Sequence, residues 1–305
     1  TGRLADLALL LPDFPGALTL AGTATEAAQG YAVNLRAQGP GGIDARIGGT
    51  VAANGAGGAL KIEGAAQAGL ANAFLAGRLI SGPVRFDLGL DGPFELASLS
   101  GRVSLTGGRL ADPAVFFALQ DLSLTADLAG SRAQLAGGGA LTSGGRVTVA
   151  GSVGLQSPFA ADLRVGLAGA ILRDPQLFET TANGEISVTG PVADGGRIGG
   201  EILLTNTEVQ IPSTGLGNMA DLPGLIHLNE PADVRATRGR AGLLGAAGGG
   251  QTGGGRPIAL DLLISAPSQI YIRGRGLDAE LGGTLRLGGT TASVQPSGAF
   301  SLIRG

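Results

Sequence analysis

The chain has 305 residues, of which 57 are Gly, with no Cys, no Trp and a net charge of -3; Gly usually makes up about 7% of a protein. Aromatic residues are 4% and charged residues 15%, while apolar residues hold at 44%. These values exclude a collagen repeat, whole-chain disorder, a helical bundle, a disulfide scaffold and a strongly basic nucleic-acid binder.

In chain order the dominant signal is alternation of apolar and polar residues with period two. It runs through Leu18-Thr19-Leu20, then Val84-Arg85-Phe86-Asp87-Leu88-Gly89-Leu90-Asp91, then Leu122-Ser123-Leu124-Thr125-Ala126-Asp127-Leu128. Asp162-Leu163-Arg164-Val165, Glu185-Ile186-Ser187-Val188 and Thr284-Leu285-Arg286-Leu287 continue it. Each such run reads as a strand with one apolar and one polar face. Roughly twenty short strands follow, about 8–15 residues apart. Many end in Gly and a polar turn, as at Thr106-Gly107-Gly108 and Ala150-Gly151-Ser152. That grammar is a weak internal repeat of hairpins, the mark of an elongated sheet in which each unit touches its neighbours.

Helix is scarce. Residues 72–79, 112–120 and 174–178 are the candidates, the last two opening on Asp-Pro. Their phenylalanines, Phe74, Phe116, Phe117 and Phe178, are expected to plug an end or edge of the sheet. Residues 213–257 break the alternation, and the Gly-rich stretch 241–255 reads as a flexible linker or exposed loop. Strands resume at Ile258. No apolar run reaches the ~18 residues that span a bilayer, and a start at Thr1 without a signal peptide points to a piece of a longer protein.

Chemistry-bearing motifs fail one by one. Gly274-x-Gly276-x-x-Ala279 follows a strand, but a strand-like run comes next where a dinucleotide fingerprint needs a helix. Gly248-x-Gly250-x-x-Gly253 lies in the Gly-rich stretch. His227 is the single histidine, in the irregular segment, with no nucleophile elbow anywhere. Acidic residues such as Asp87, Asp127, Asp162, Glu185 and Glu201 are spread singly along polar faces. Arg235, Arg238 and Arg240 read as a solvated loop. The sequence therefore predicts no enzyme, no catalytic residue, no cofactor and no metal site.

The apolar face is the informative feature, because no long amphipathic helix exists to cover it. The sheet must close as a sandwich or barrel, or curl around a groove. Few aromatics are available to fill a sandwich core, which favours an all-β, elongated, half-pipe-like sheet, antiparallel-rich, about 100 Å long at ~4.8 Å per strand. Its expected lining is Val84, Phe86, Leu88, Leu122, Leu124, Leu163, Val165, Ile186, Val188, Leu285 and Leu287. Such a face calls for an apolar occupant, and phospholipid acyl chains fit it. Alternatives are a scaffold that pairs through its edge strands and a structural β-solenoid.

Several runs also carry a resemblance. Arg173-Asp174-Pro175-Gln176-Leu177-Phe178-Glu179-Thr180, Gly184-Glu185-Ile186-Ser187-Val188-Thr189-Gly190-Pro191 and Glu208-Val209-Gln210-Ile211-Pro212 are similar to the C-terminal domain of the TamB family. Arg273-Gly274-Arg275-Gly276-Leu277-Asp278-Ala279-Glu280-Leu281-Gly282-Gly283, Gln295-Pro296-Ser297-Gly298 and Leu302-Ile303-Arg304-Gly305 extend it. The likeness spans 1–305 as one continuous unit, 1–170 being less distinctive than 171–305. It implies the periplasmic portion of an inner-membrane-anchored protein in a diderm bacterium. It also implies a TamA-type outer-membrane barrel partner, roles in outer-membrane protein assembly and phospholipid movement, and no catalytic residues. The anchor and the family's last strands are not found in the sequence.

Overall fold

The computed structural model describes residues 2–4, 17–28, 30–75, 78–113, 116–191, 195–211 and 257–305. His227, Arg235, Arg238, Arg240 and the Gly-rich stretch lie outside these residues.

Among the described residues, seventeen strands form one sheet. They are β1 (Gly2–Leu4), β2 (Leu18–Ala27), β3 (Gly30–Gly39), β4 (Ile43–Ala52), β5 (Gly57–Gln67), β6 (Leu79–Ser81) and β7 (Pro83–Pro93). Then come β8 (Leu99–Asp112), β9 (Phe117–Ala129), β10 (Arg132–Leu141), β11 (Arg146–Gly154) and β12 (Ala160–Asp174). The last are β13 (Phe178–Pro191), β14 (Arg197–Gln210), β15 (Ala259–Gly274), β16 (Leu277–Thr290) and β17 (Ser293–Arg304). Strands β6 and β7 both pair with β8 and act as two parts of one strand interrupted at Gly82. Neighbours in sequence are otherwise neighbours in the sheet, and every pairing is antiparallel except one. Strand β14 pairs with β15 in parallel, through the connection 212–256. The sheet does not close into a barrel. At ~4.8 Å per strand its sixteen positions span about 75 Å.

The strands are fewer and longer than the alternation predicts. Strand β12 has 15 residues and β15 has 16. The reason lies in β-bulges, which insert one residue and reset the alternation, so that one strand reads as two. In β12 the apolar phase is Leu163, Val165, Leu167 before the bulge and Ala170, Leu172 after it. The residue between, Gly169, has φ +56°.

Two expected helices do not form. Within 112–120, Asp112 ends β8 and Phe117 opens β9 directly opposite it. Residues 174–178 are the hairpin between β12 and β13, where the Asp174 carboxylate accepts from the amides of Gln176 (2.9 Å) and Leu177 (3.1 Å). The same Asp-Pro chemistry that caps a helix closes a turn when strands wait on both sides. Residues 72–79 overlap a 3-10 turn at Ala68–Phe74, followed by β6. Phe116 is 59% exposed and Phe178 39% exposed, so neither plugs the sheet. Phe117 alone of the described phenylalanine side chains in these segments packs against the core cluster. The run Gly274-Arg275-Gly276-Leu277 is a two-residue turn with φ +51° at Arg275 and +84° at Gly276, the form that suits a twisted hairpin.

Candidate functional site

Partners in a ladder point to the same face, so the registers can be followed across the sheet. One row runs Leu20, Ala37, Ala45, Gly64, Phe86, Val103, Ala126, Leu135, Gly151, Leu163, Val188, Ile198 and Leu260. No polar side chain interrupts it. One residue away on each strand, the opposite face reads Arg36, Arg46, Glu63, Asp87, Arg102, Asp127, Gln134, Ser152, Asp162, Thr189 and Arg197. No apolar side chain interrupts that one. Along these rows the two sides of the sheet are chemically distinct from β3 to β14, with Ala21 and Ala259 beyond the ends of the polar row.

All eleven residues singled out from the sequence lie on the apolar side. Phe86, Leu163 and Val188 stand in the row just traced. A second row holds Val84, Leu105, Leu124, Gly137, Val149, Val165, Ile186, Gly200, Leu262 and Leu287. Leu285 belongs to a third, with Val147, Leu167, Gly184, Ile202 and Ile264. Leu88 lies opposite Ile62, and Leu122 opposite Gly108.

The bulges add a feature that alternation does not reveal. Residues with left-handed backbone recur at corresponding heights: Gly107 in β8, Asp121 in β9, Gly169 in β12, Asn206 in β14 and Gln269 in β15. Register shifts mark the same heights. Side chains satisfy the amides this leaves unpaired. The Asn183 Oδ1 accepts from Gly169 N (2.7 Å), and the Glu280 Oε1 accepts from Gln269 N (3.1 Å). A bulge bends its strand, so a column of bulges creases the sheet. Burial follows the crease: Leu105, Leu122 and Leu141 are buried, and Ala170, Ala182 and Ala266 are 0% exposed. Apolar side chains from both sides of the line, Val84, Leu124 and Leu167 on one and Leu110, Phe117 and Leu172 on the other, pack against one cluster. The apolar face is thus a trough, with small buried residues along its bottom and half-buried Leu, Val and Ile as its walls.

The charged side is laced by cross-strand pairs. Arg102 binds the Asp127 carboxylate (2.5 Å), Arg36 binds Asp44 (2.7 Å) and Arg304 binds Glu280 (2.6 Å). Asp261 receives Arg286 (2.6 Å) from β16 and also Arg197 from β14, bridging the parallel seam. These bonds hold the carboxyls of Asp127, Asp44 and Asp261 below the usual range, each mainly through the hydrogen bond from its arginine. All are solvated, so their worth is small and falls with salt. Among the described residues there is no cluster of His, Cys, Asp and Glu that could hold a metal, and no helix long and apolar enough to cross a membrane.

One open, mostly antiparallel sheet with a continuous apolar trough and a charged back defines a groove protein built from stacked hairpins. The model of the TamB C-terminal domain matches residues 137–305, and the chain belongs to that family. Comparisons with curated proteins and with solved structures find no match. The family consists of bacterial envelope proteins of non-enzymatic character that act in envelope biogenesis. Its members work with TamA in the translocation and assembly module. Strands β2 to β9 precede the matched region, yet the apolar rows run through them unbroken.

Proposed function

We propose that the trough carries phospholipid acyl chains between the inner and outer membranes, with Val84, Phe86, Leu88, Leu122, Leu124, Leu163, Val165, Ile186, Val188, Leu285 and Leu287 among its lining. The observation that carries this reading is the apolar row that crosses thirteen strands without a polar side chain. Each CH₂ moved into water costs about 0.8 kcal/mol, so a diacyl lipid needs on the order of 20 kcal/mol of shielding along its path. A continuous trough supplies it at every step without a specific site. The parent protein then works from the inner membrane toward a TamA-type barrel, and the same groove supports outer-membrane protein assembly.

Native mass spectrometry of the chain purified from a bacterial envelope tests this. Several phospholipids bound per chain are the expected result. A lipid-free, monodisperse protein overturns it and turns attention to crosslinking of the sheet edges with the barrel partner.

A further inference from the structure

Thr180 and Thr207 are the only buried polar residues among those described, at 4% and 7% exposure. Both stand on the trough side. Thr180 lies opposite Leu172, Thr207 opposite Ile270, and Ile270 opposite Leu281, so two hydroxyls interrupt an otherwise apolar row. Their oxygens are 2.6 Å apart. Two hydroxyls carry two protons, and their mutual bond uses one. Neither makes a further hydrogen bond. One O–H is left without an acceptor in apolar surroundings, a state that costs free energy until an acceptor arrives.

We propose that this pair is a polar subsite of the trough that donates a hydrogen bond to the ester carbonyl of an acyl-glycerol lipid. The inference rests on lipid occupancy of the trough and adds one polar contact inside it. Thr180 is two residues from Phe178, where β13 begins, and two residues from Ala182 at the crease. It is therefore about 7 Å from the end of its strand, and its partner Thr207 directly follows Asn206 at the crease. Toward that strand end the trough side carries Phe178, Val209 and Ile272, while the ion pairs Arg173–Glu179 and Arg273–Glu208 lie one residue away on the charged side. A free fatty acid offers an oxygen acceptor as well, so the experiment must separate the two.

The test is a competition on the full chain between a diacyl phosphatidylethanolamine and its dialkyl ether counterpart, which differ only in the carbonyls. The wild type is expected to retain the diester about fivefold better, the worth of one hydrogen bond. The T180V/T207V variant should bind both lipids alike, and T180S/T207S should keep the preference. In the wild type, the infrared band of a lipid labelled at its ester carbonyls should shift to lower frequency on binding, a readout that needs no variant. Equal retention in the wild type, an unshifted band, a preference that survives in T180V/T207V, or palmitate displacing the diester better than another diester does would each overturn the subsite alone. Absence of both lipids from the wild type would overturn the conduit reading itself.

Discussion

Leu105 lies directly opposite Leu124 in the β8–β9 ladder, on the trough side, while their neighbours Ser104 and Thr125 face each other on the charged side. Chemistry on this sheet is thus decided by a shift of one residue. A charge at Leu124 is expected to cut lipid transfer at least tenfold, because an ionised carboxylate in the trough must be dehydrated. The adjacent Ser123→Asp, on the exposed face, should leave transfer near wild type. A fluorescent-lipid transfer assay on Leu124→Asp and Ser123→Asp, with circular dichroism as the folding control, checks this. Equal tolerance of both would sink the conduit.

The two kinds of glycine in the strands should respond differently to alanine. Gly151 has φ +135°, and a Cβ there would lie 2.0 Å from the Asp162 carbonyl oxygen, so the β11–β12 ladder must open to admit it. Gly169 at the crease has φ +56° with nothing within 4 Å of a Cβ. Gly169→Ala should cost about 1–2 kcal/mol, the penalty of left-handed backbone, and Gly151→Ala clearly more. Urea unfolding of the two variants gives the ranking, and a milder Gly151→Ala would contradict it.

The Asp261 carboxyl is held down first by the hydrogen bond from Arg286 and then by that from Arg197. Its folded value lies below the unfolded value of about 3.9. The pairing therefore adds stability above that value and loses it as pH falls through the folded one. Asp261→Asn should be the less stable protein at pH 7, with the gap closing below about pH 4. Chemical denaturation at neutral and acid pH measures it, and a gap independent of pH would rule out this linkage.

Arg102 and Asp127 face each other across β8 and β9. A double-mutant cycle with Arg102→Ala and Asp127→Ala should return a small coupling that shrinks in 1 M salt, as for other exposed pairs. A larger, salt-insensitive coupling would mean that the charged side contributes more than solubility.

Much of this architecture is legible in the residues themselves. Phe86 and Asp87 announce opposite faces because a strand has period two, and the same logic placed Leu163, Ile186 and Leu287 on one side. The bulges are not legible. Asp121, Asn206 and Gln269 take left-handed backbone without being glycine, and only cross-strand pairing forces them there. Alternation that fails at a bulge looks like the end of a strand, which is why long strands read as several short ones. Asp112-Pro113 and Asp174-Pro175 suit either a helix start or a turn, and flanking strands decide between them. Thr180 and Thr207 escaped notice because a threonine in a strand is ordinary. Their signal was there in the apolar phase of Phe178-x-Thr180-x-Ala182.

The parallel seam between β14 and β15 also bears on how the chain reaches this form. Every other ladder joins strands close in sequence and can zip from a local turn, a low-cost closure. The Arg197–Asp261 contact across the seam joins residues 64 apart. Strands β2 to β14 and strands β15 to β17 are therefore two kinetically separate ribbons, each able to grow from its own hairpins, and the seam is the one stitch that must wait for both.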